Sequence, residues 1–395
     1  MIKVGVGFSE EKDQIAAAKE AVRHARMGIA GEKISLAMVF STIDFAHTSL
    51  LKTLSVYMEG VPLIGCSGAA VISKKGIYKH GLIVMLFSLP AEVYFNVASV
   101  KDIKAKTPQA AGEELGEKLL YGFQNVRRDV GIILSDGLME ESSNLVYGLQ
   151  DKLGKSFPIV GGCASDNLAF KKTYVYSNEE MMSDAACGIV LGGKLNFGIG
   201  VKHGWKPLGK PRRITRSTGN VVYEIDGVAA ANIYEEYLAS DAQQLRKELK
   251  RISILYPLGV YLPGEEEYLL RNLVSIQEDG SLVLLGNVPQ DSLTRLMIGT
   301  KESCLEATKQ AIEEVNRGLF GRKINFVLVF DSISRYILLG RQAEKELNII
   351  RESLNPDAEI IGVYTYGEQA PLMAINYQGR TYSHNQTVTV LGVAG

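Results

Sequence analysis

Three segments of this chain repeat one another: Leu63-Ile64-Gly65, Ile159-Val160-Gly161 and Ile360-Ile361-Gly362. Each lies roughly 25 to 31 residues beyond the polar end of an apolar strand and leads into a hairpin-like tail. The tails run from Ile77 to Phe87, from Tyr174 to Leu191 and from Ala374 to Leu391. Upstream of the first tip, the pattern predicts a strand over Lys3 to Phe8. A helix over Glu10 to Met27 follows, with Ile15, Ala18, Val22 and Ala25 on one face, then a strand over Ser35 to Phe40 and a helix over Leu50 to Glu59. The second copy reads as a strand from Val93, a helix from Pro108, a strand over Val130 to Leu134 ending in Ser135-Asp136-Gly137, and a helix from Ser142. The third reads as a strand over Arg295 to Ile298, a helix from Ser303, a strand over Ile324 to Phe330 ending in Asp331-Ser332, and a helix from Gly340. A period of roughly 90 to 105 residues is too long for a solenoid. It fits an α/β fold of duplicated β-α-β-α-β-β modules, their mixed sheets flanked by helices.

Between the second and third copies, from about Leu195 to Gln290, the chain changes character. Strands are expected at Val221 to Ile225 and Val260 to Leu262, a charged helix at Asp241 to Arg251, and a hairpin turning on Asp279-Gly280. This places a domain boundary near residue 205. Residues 1–205 then hold two copies, and residues 206–395 hold an inserted α+β segment and the third.

With 395 residues, 46% hydrophobic content and a formal net charge of -1, the chain can bury two cores and is too neutral for a nucleic-acid binder. The N-terminus turns acidic before a secretory apolar region could form, and the longest apolar runs fall well short of a membrane span. Neither a signal peptide nor membrane insertion is expected. Cys66, Cys163, Cys187 and Cys304 are scattered, without zinc spacing, which suits a reduced cytoplasmic protein.

The run Gly161-Gly162-Cys163-Ala164-Ser165-Asp166, the motif His203-Gly204-Trp205-Lys206-Pro207-Leu208-Gly209, the stretch from Ile214 to Ala230 with Tyr234 and Tyr237, and the distal Gly362 to Glu368 together resemble the FIST family. The resemblance covers nearly the whole chain, a FIST N-terminal domain followed by a FIST C-terminal domain. It implies a sensory module for small ligands such as amino acids or their derivatives. A subset of the family is known as haem-binding nitric-oxide sensors acting on histidine kinases or cyclic-di-GMP enzymes. No kinase, cyclase or methyl-accepting segment accompanies the two domains, so a signal would pass to a separate partner.

Candidate ligand contacts follow from the strand ends, where backbone N–H groups are exposed at glycine tips. Asp166 and Glu368 can pair an ammonium group, and Ser67, Ser165, Tyr364 and Tyr366 can donate hydrogen bonds. Arg335 can clamp a carboxylate. The same glycines and polar groups also serve turns and helix caps. His203 is a candidate axial ligand for haem, with Trp205 walling the pocket. No GxSxG elbow, phosphate loop or HExxH is present, and a non-enzymatic protein is expected. The enzyme alternative pairs Cys163 as nucleophile with His203 as base. A ligand-free interaction scaffold is the remaining alternative.

Overall fold

The computed structural model describes residues 2–45, 48–239, 242–262, 267–372 and 380–395. Ala374 to Tyr377 of the third expected tail, and Asp241 at the head of the charged helix, lie outside these residues. Among the described residues the strands form three six-stranded sheets and one eight-stranded sheet.

Each six-stranded sheet belongs mainly to one copy of the repeat. The first orders Lys3–Ser9, Leu82–Ser88, Leu36–Thr42 and Leu63–Gly68. The second orders Val93–Lys101, Ala185–Gly193, Arg128–Ser135 and Ile159–Cys163. The third orders Asn196–Lys202, Val388–Ala394, Ile324–Ser332 and Glu359–Thr365. The last two strands of each set run parallel, in matching register: Val39 faces Gly65, Ile133 faces Gly161 and Val329 faces Gly362. A Cβ on Gly65 would stand 1.9 Å from the Val39 carbonyl oxygen, and one on Gly161 would stand 1.8 Å from that of Ile133. The repeated glycine is thus a requirement of close strand approach.

The two outer strands of each sheet come from a different copy. The hairpin Val175–Ser177/Glu180–Met182 of the second copy completes the first sheet, pairing Val175 with Cys66. The hairpin Gly367–Pro371/Thr381–His384 of the third completes the second sheet, pairing Gly367 with Cys163. The hairpin Val71–Ser73/Gly76–Tyr78 of the first completes the third sheet, pairing Val71 with Val363. The exchange is cyclic, and the body is a pseudo-trimer folded from one chain.

The third copy begins elsewhere than its sequence pattern indicates. Arg295 to Ile298 belongs to a strand, Leu293–Ile298, that pairs with Lys206–Thr218 and Leu258–Tyr261 in the eight-stranded sheet. The third copy's first strand is Asn196–Lys202, set beside Val388–Ala394 as Lys3–Ser9 is set beside Leu82–Ser88. An apolar strand pattern fits either sheet and does not name its partner, which explains the difference. The chain from Lys206 to Ile298 is therefore an insertion between the first strand of the third copy and its helix Lys301–Gly318. Its two ends meet: a Cβ on Gly204 would lie 2.8 Å from the Ser303 carbonyl oxygen. The charged helix of the insertion is divided in two, Ala242–Lys247 and Leu249–Leu255. The first arm of the expected Asp279-Gly280 hairpin is likewise divided, at Asn272, into Tyr268–Arg271 and Leu273–Ile276.

One core fills the space enclosed by the three sheets, with Leu36 and Met38 from the first copy, Ile132 and Leu134 from the second, Leu328 and Leu391 from the third. The outer faces carry helices. Local sequence sets their starts: Asp13 and Thr107 accept N-terminal amide protons, Pro108 follows Thr107, and Thr300 with Ser303 forms a capping box. The insertion has its own core, around Ile214, Tyr234, Ile252, Leu258 and Leu282.

Candidate functional site

The three tips converge and close on one another. Ser165 N–H donates to the Ser67 carbonyl at 3.0 Å, Ala69 N–H to that of Tyr364 at 3.2 Å, and Tyr366 N–H to that of Cys163 at 3.1 Å. Side chains tighten the ring: Ser67 Oγ donates to the Ser165 carbonyl and Ser165 Oγ to that of Tyr364, at 3.0 and 2.7 Å. Both serines are fully buried, and their hydroxyls are spent on closure.

Asp166 follows Ser165 directly. Its carboxylate accepts the N–H groups of Phe170, Lys171 and Lys172 at 2.9, 2.7 and 3.0 Å, and the Tyr366 hydroxyl. Burial opposes its charge, but these donors hold its pKa below the usual range. Asn167, Leu168 and Phe170 in the loop beneath it all adopt positive φ, an arrangement maintained by that carboxylate. Phe170 is exposed and stacks on Tyr366 at 4.7 Å between ring centroids.

Glu368 occupies the strand position that is Val175 and Val71 in the other two hairpins. It is fully buried, accepting from Thr365 Oγ1 at 2.8 Å and from Thr387 N–H and Oγ1 at 3.0 and 2.8 Å. Burial pushes its pKa up to about 8, against which those hydrogen bonds work.

His203, Trp205 and Arg335 meet where the insertion leaves the body. Arg335 is fully buried and donates to Asp331 Oδ1 at 3.0 Å, the His203 carbonyl at 2.6 Å, the Cys304 carbonyl at 3.1 Å, Thr308 Oγ1 at 2.8 Å and Glu346. Burial and repulsion from Glu346 push Asp331 well above the ordinary carboxylate range, with Arg335 opposing. The Trp205 indole donates to the Ile254 carbonyl at 3.0 Å. Glu346 and Thr308 escaped the sequence reading. The available signal was a charge in the apolar stripe of the helix Ala343–Glu352, where Ala343, Leu347 and Ile350 are buried alongside Glu346.

The geometry also bears on haem. His203 Nδ1 accepts the Trp205 N–H at 2.9 Å, and burial pulls the ring's pKa down to about 3. A neutral imidazole with Nδ1 as acceptor carries its proton on Nε2, which faces Glu267 Oε2 at 4.0 Å. An iron ligand needs a lone pair at Nε2 and a proton at Nδ1, which would set two N–H groups head to head. The residues around His203 do not fit an axial haem ligand. Cys163 is buried with its thiol held at about 11, Sγ 3.4 Å from Ser135 Oγ. The candidate nucleophile and the candidate base thus have separate partners.

A pseudo-threefold α/β body with a domain inserted in its third copy is the class of protein this structure defines. The chain belongs to the FIST family: the FIST N domain model matches residues 35–228 and the FIST C domain model residues 230–371. The two matches meet inside the inserted sheet. FIST domains are associated with small-ligand sensing and signalling. The chain is similar to an uncharacterised protein of Methanocaldococcus jannaschii, 24% identical over 84% of this chain and 69% of the relative. It is 24% identical to one of Mycobacterium tuberculosis over 74% and 75%, and 22% identical to one of Mycobacterium bovis over 95% and 96%. Among solved structures, a cyanuric acid hydrolase from A. caulinodans aligns over 100% of both chains at 10% identity and a TM-score of 0.39. PurL of T. maritima complexed with ATP aligns at 12% identity and a TM-score of 0.24, over 100% of this chain and 72% of that one. At these scores neither likeness carries a conclusion. Among the described residues no helix is long and apolar enough to cross a membrane.

Proposed function

We propose that this chain is a non-enzymatic sensory protein that binds a small molecule, an amino acid or related metabolite, and signals to a separate partner such as a histidine kinase or a cyclic-di-GMP enzyme. The observation that carries this reading is the junction between body and insertion, where Trp205, Leu270, Met297, Cys304, Leu339 and Ala343 form a buried apolar cluster bordered by polar contacts. There Trp205, Gln386 and Arg271 reach backbone carbonyls of Ile254, Ser253 and Ser383 across the boundary, at 3.0, 2.8 and 3.0 Å. The side-chain oxygens of Asn272 and Gln386 are buried there without a partner. Replaceable hydrogen bonds around that apolar cluster suit a small adjustment between two bodies. His203, Arg335 and Glu368 sit on its body side, and the tip residues Ser67, Ser165, Asp166, Tyr364 and Tyr366 supply the rigid ring behind them.

The test is thermal denaturation of the full chain against a metabolite panel that includes the standard amino acids. A ligand present at 100 times its Kd adds about 2.7 kcal/mol of stability. Silence across the panel overturns the sensory reading in favour of a ligand-free scaffold.

A further inference from the structure

Two arginines are buried where the insertion meets the body, and their surroundings differ. Arg335 meets Asp331 and Glu346. Arg271, 2% exposed at the end of the strand Tyr268–Arg271, meets no carboxylate among the described residues. Its guanidinium donates to carbonyl oxygens alone, Nε to that of Asn287 and Nη1 to those of Leu270 and Ser383, each at 3.0 Å. Nη2, with two N–H groups, has no acceptor among the described residues. Gly286 packs against this fork, where a Cβ would stand 3.1 Å from Nε and where φ is +104°. Burial pulls the pKa of Arg271 down from 12.5 to about 10, which leaves it a cation at neutral pH. A buried charge with no counter-charge is costly, and Arg271 calls for one from outside the chain.

The side chains around it come from three parts of the chain. Tyr147, on the helix Ser142–Leu153 of the second copy, is the titratable group that acts on the charge of Arg271. Arg380, exposed just before the hairpin strand Thr381–His384, holds its guanidinium 6.0 Å from the centre of the same tyrosine ring. It too pairs with no carboxylate among the described residues, so Tyr147 is neighbour to two arginines that nothing neutralises. The residues that accept from Arg271 also fasten the start of that helix: Ser383 Oγ lies 2.9 Å from Ser142 Oγ, and Asn287 Nδ2 donates to Asn144 Oδ1 at 3.0 Å. Glu141, at the head of the helix, is engaged by Asn144 Nδ2 at 2.8 Å and pairs with neither arginine. No side chain caps the helix start, and its first N–H groups add partial positive charge there.

We propose that Arg271, Arg380 and Tyr147 form a site for a phosphate group, carried as the free ion or as a small monoester. Charge and geometry select it. Phosphate bears about 1.5 to 2 negative charges at neutral pH and offers three acceptor oxygens, enough for both arginines and the phenol. A carboxylate balances only one of the two cations. The anion completes the fork at Nη2, and ties the insertion to the second copy and to the hairpin given by the third. The assignment does not rest on the sensory reading above and stands or falls independently of it.

The experiment titrates the full chain with sodium phosphate, with sodium chloride at equal ionic strength as the reference, following the melting temperature and the phosphorus NMR line. Phosphate is expected to shift both saturably. Arg380→Ala, at an exposed side chain, is expected to melt as the parent does without phosphate and to raise Kd at least about tenfold. Tyr147→Phe, which keeps the ring and loses the hydroxyl, is expected to raise it by a smaller factor. Arg271→Met should lose the response altogether; if that variant misfolds, the other two decide. Glycerol phosphate run beside inorganic phosphate separates the two sources, the tighter binder being the form the site takes. Sodium acetate is expected to shift the melting temperature no more than chloride does. A phosphate response no larger than that of chloride overturns the assignment, as does one that Arg380→Ala and Tyr147→Phe leave unchanged. Acetate binding as tightly as phosphate overturns the choice of anion. None of these outcomes touches the sensory reading, which falls only if the metabolite panel is silent.

Discussion

At the scale of single residues, the body's polar groups are closely matched to one another, and substitution exposes what each offsets. Burial raises the pKa of Glu368 from 4.5 to about 8. A carboxyl raised on folding contributes stability fully below its unfolded pKa and loses it as pH rises through the folded value. Stability should therefore fall between about pH 4.5 and 8, and Glu368→Gln should flatten that slope in urea titrations across the range. A variant with the same slope as the parent would mean Glu368 is ionised in the fold. Arg335 pairs with the buried Asp331 and Glu346 side chains at once, so Arg335→Met, which leaves these polar groups buried without a partner, is expected to cost about 3–5 kcal/mol in chemical denaturation. Because five acceptors surround its planar fork, Arg335→Lys should recover only part of that loss. For His203 the tautomer fixed by Trp205 leads to a plain expectation. Protein mixed with haem should show no Soret band that His203→Ala removes.

At the scale of elements, the three copies differ in how a helix covers its edge strand. In the first copy Gly5 and Gly7 let the helix Gln14–Ile29 come so close that a Cβ on Gly7 would stand 1.8 Å from the Ala21 carbonyl oxygen. Gly198 and Gly200 do the same under the helix Lys301–Gly318, where a Cβ on Gly200 would stand 1.8 Å from the Ala311 carbonyl oxygen. The matching positions in the second copy, by register, are Asn96 and Ala98. There the helix Pro108–Leu120 leans instead on Ser142–Leu153, through Gly112 and Gly148. Gly7→Ala and Gly200→Ala should each cost roughly 1–3 kcal/mol of stability by overpacking. Ala98→Gly should recover nothing comparable, since its helix already lies elsewhere; calorimetry of the three variants decides the matter. The strands, most helices and the glycine tips were legible in the sequence because their causes are local: period, caps and turns. The division of the charged helix was not, because Glu248 at the break offers no glycine or proline to mark it. The donated hairpins were visible as hairpins, whereas their acceptors lie about a hundred residues away or more in sequence, a distance over which periodicity carries no information. For the candidate site, the polar residues were identifiable, but that Asp166 would be filled by its own loop depended on three-dimensional closure.

At the scale of the whole molecule, the insertion is a graft. Because Gly204 touches the start of the helix Lys301–Gly318, replacing residues 206–298 by a short glycine-serine linker should leave a body that melts in one cooperative transition. An unfolded product in circular dichroism would show that the body needs the insertion to fold. The cyclic exchange of hairpins carries a different consequence. A single copy cut from the chain has a hairpin to give and an edge left bare, and neither can satisfy the other within that copy. Only a closed company of three pairs the Leu63–Gly68, Ile159–Cys163 and Glu359–Thr365 edge of every copy, so the peptide links between copies supply order and proximity rather than the architecture itself. Separate fragments, each bearing one copy, have the means to find one another, and the ancestry this arrangement suggests is a homotrimer whose subunits were later sewn end to end, freeing one of them to carry an addition its sisters lack.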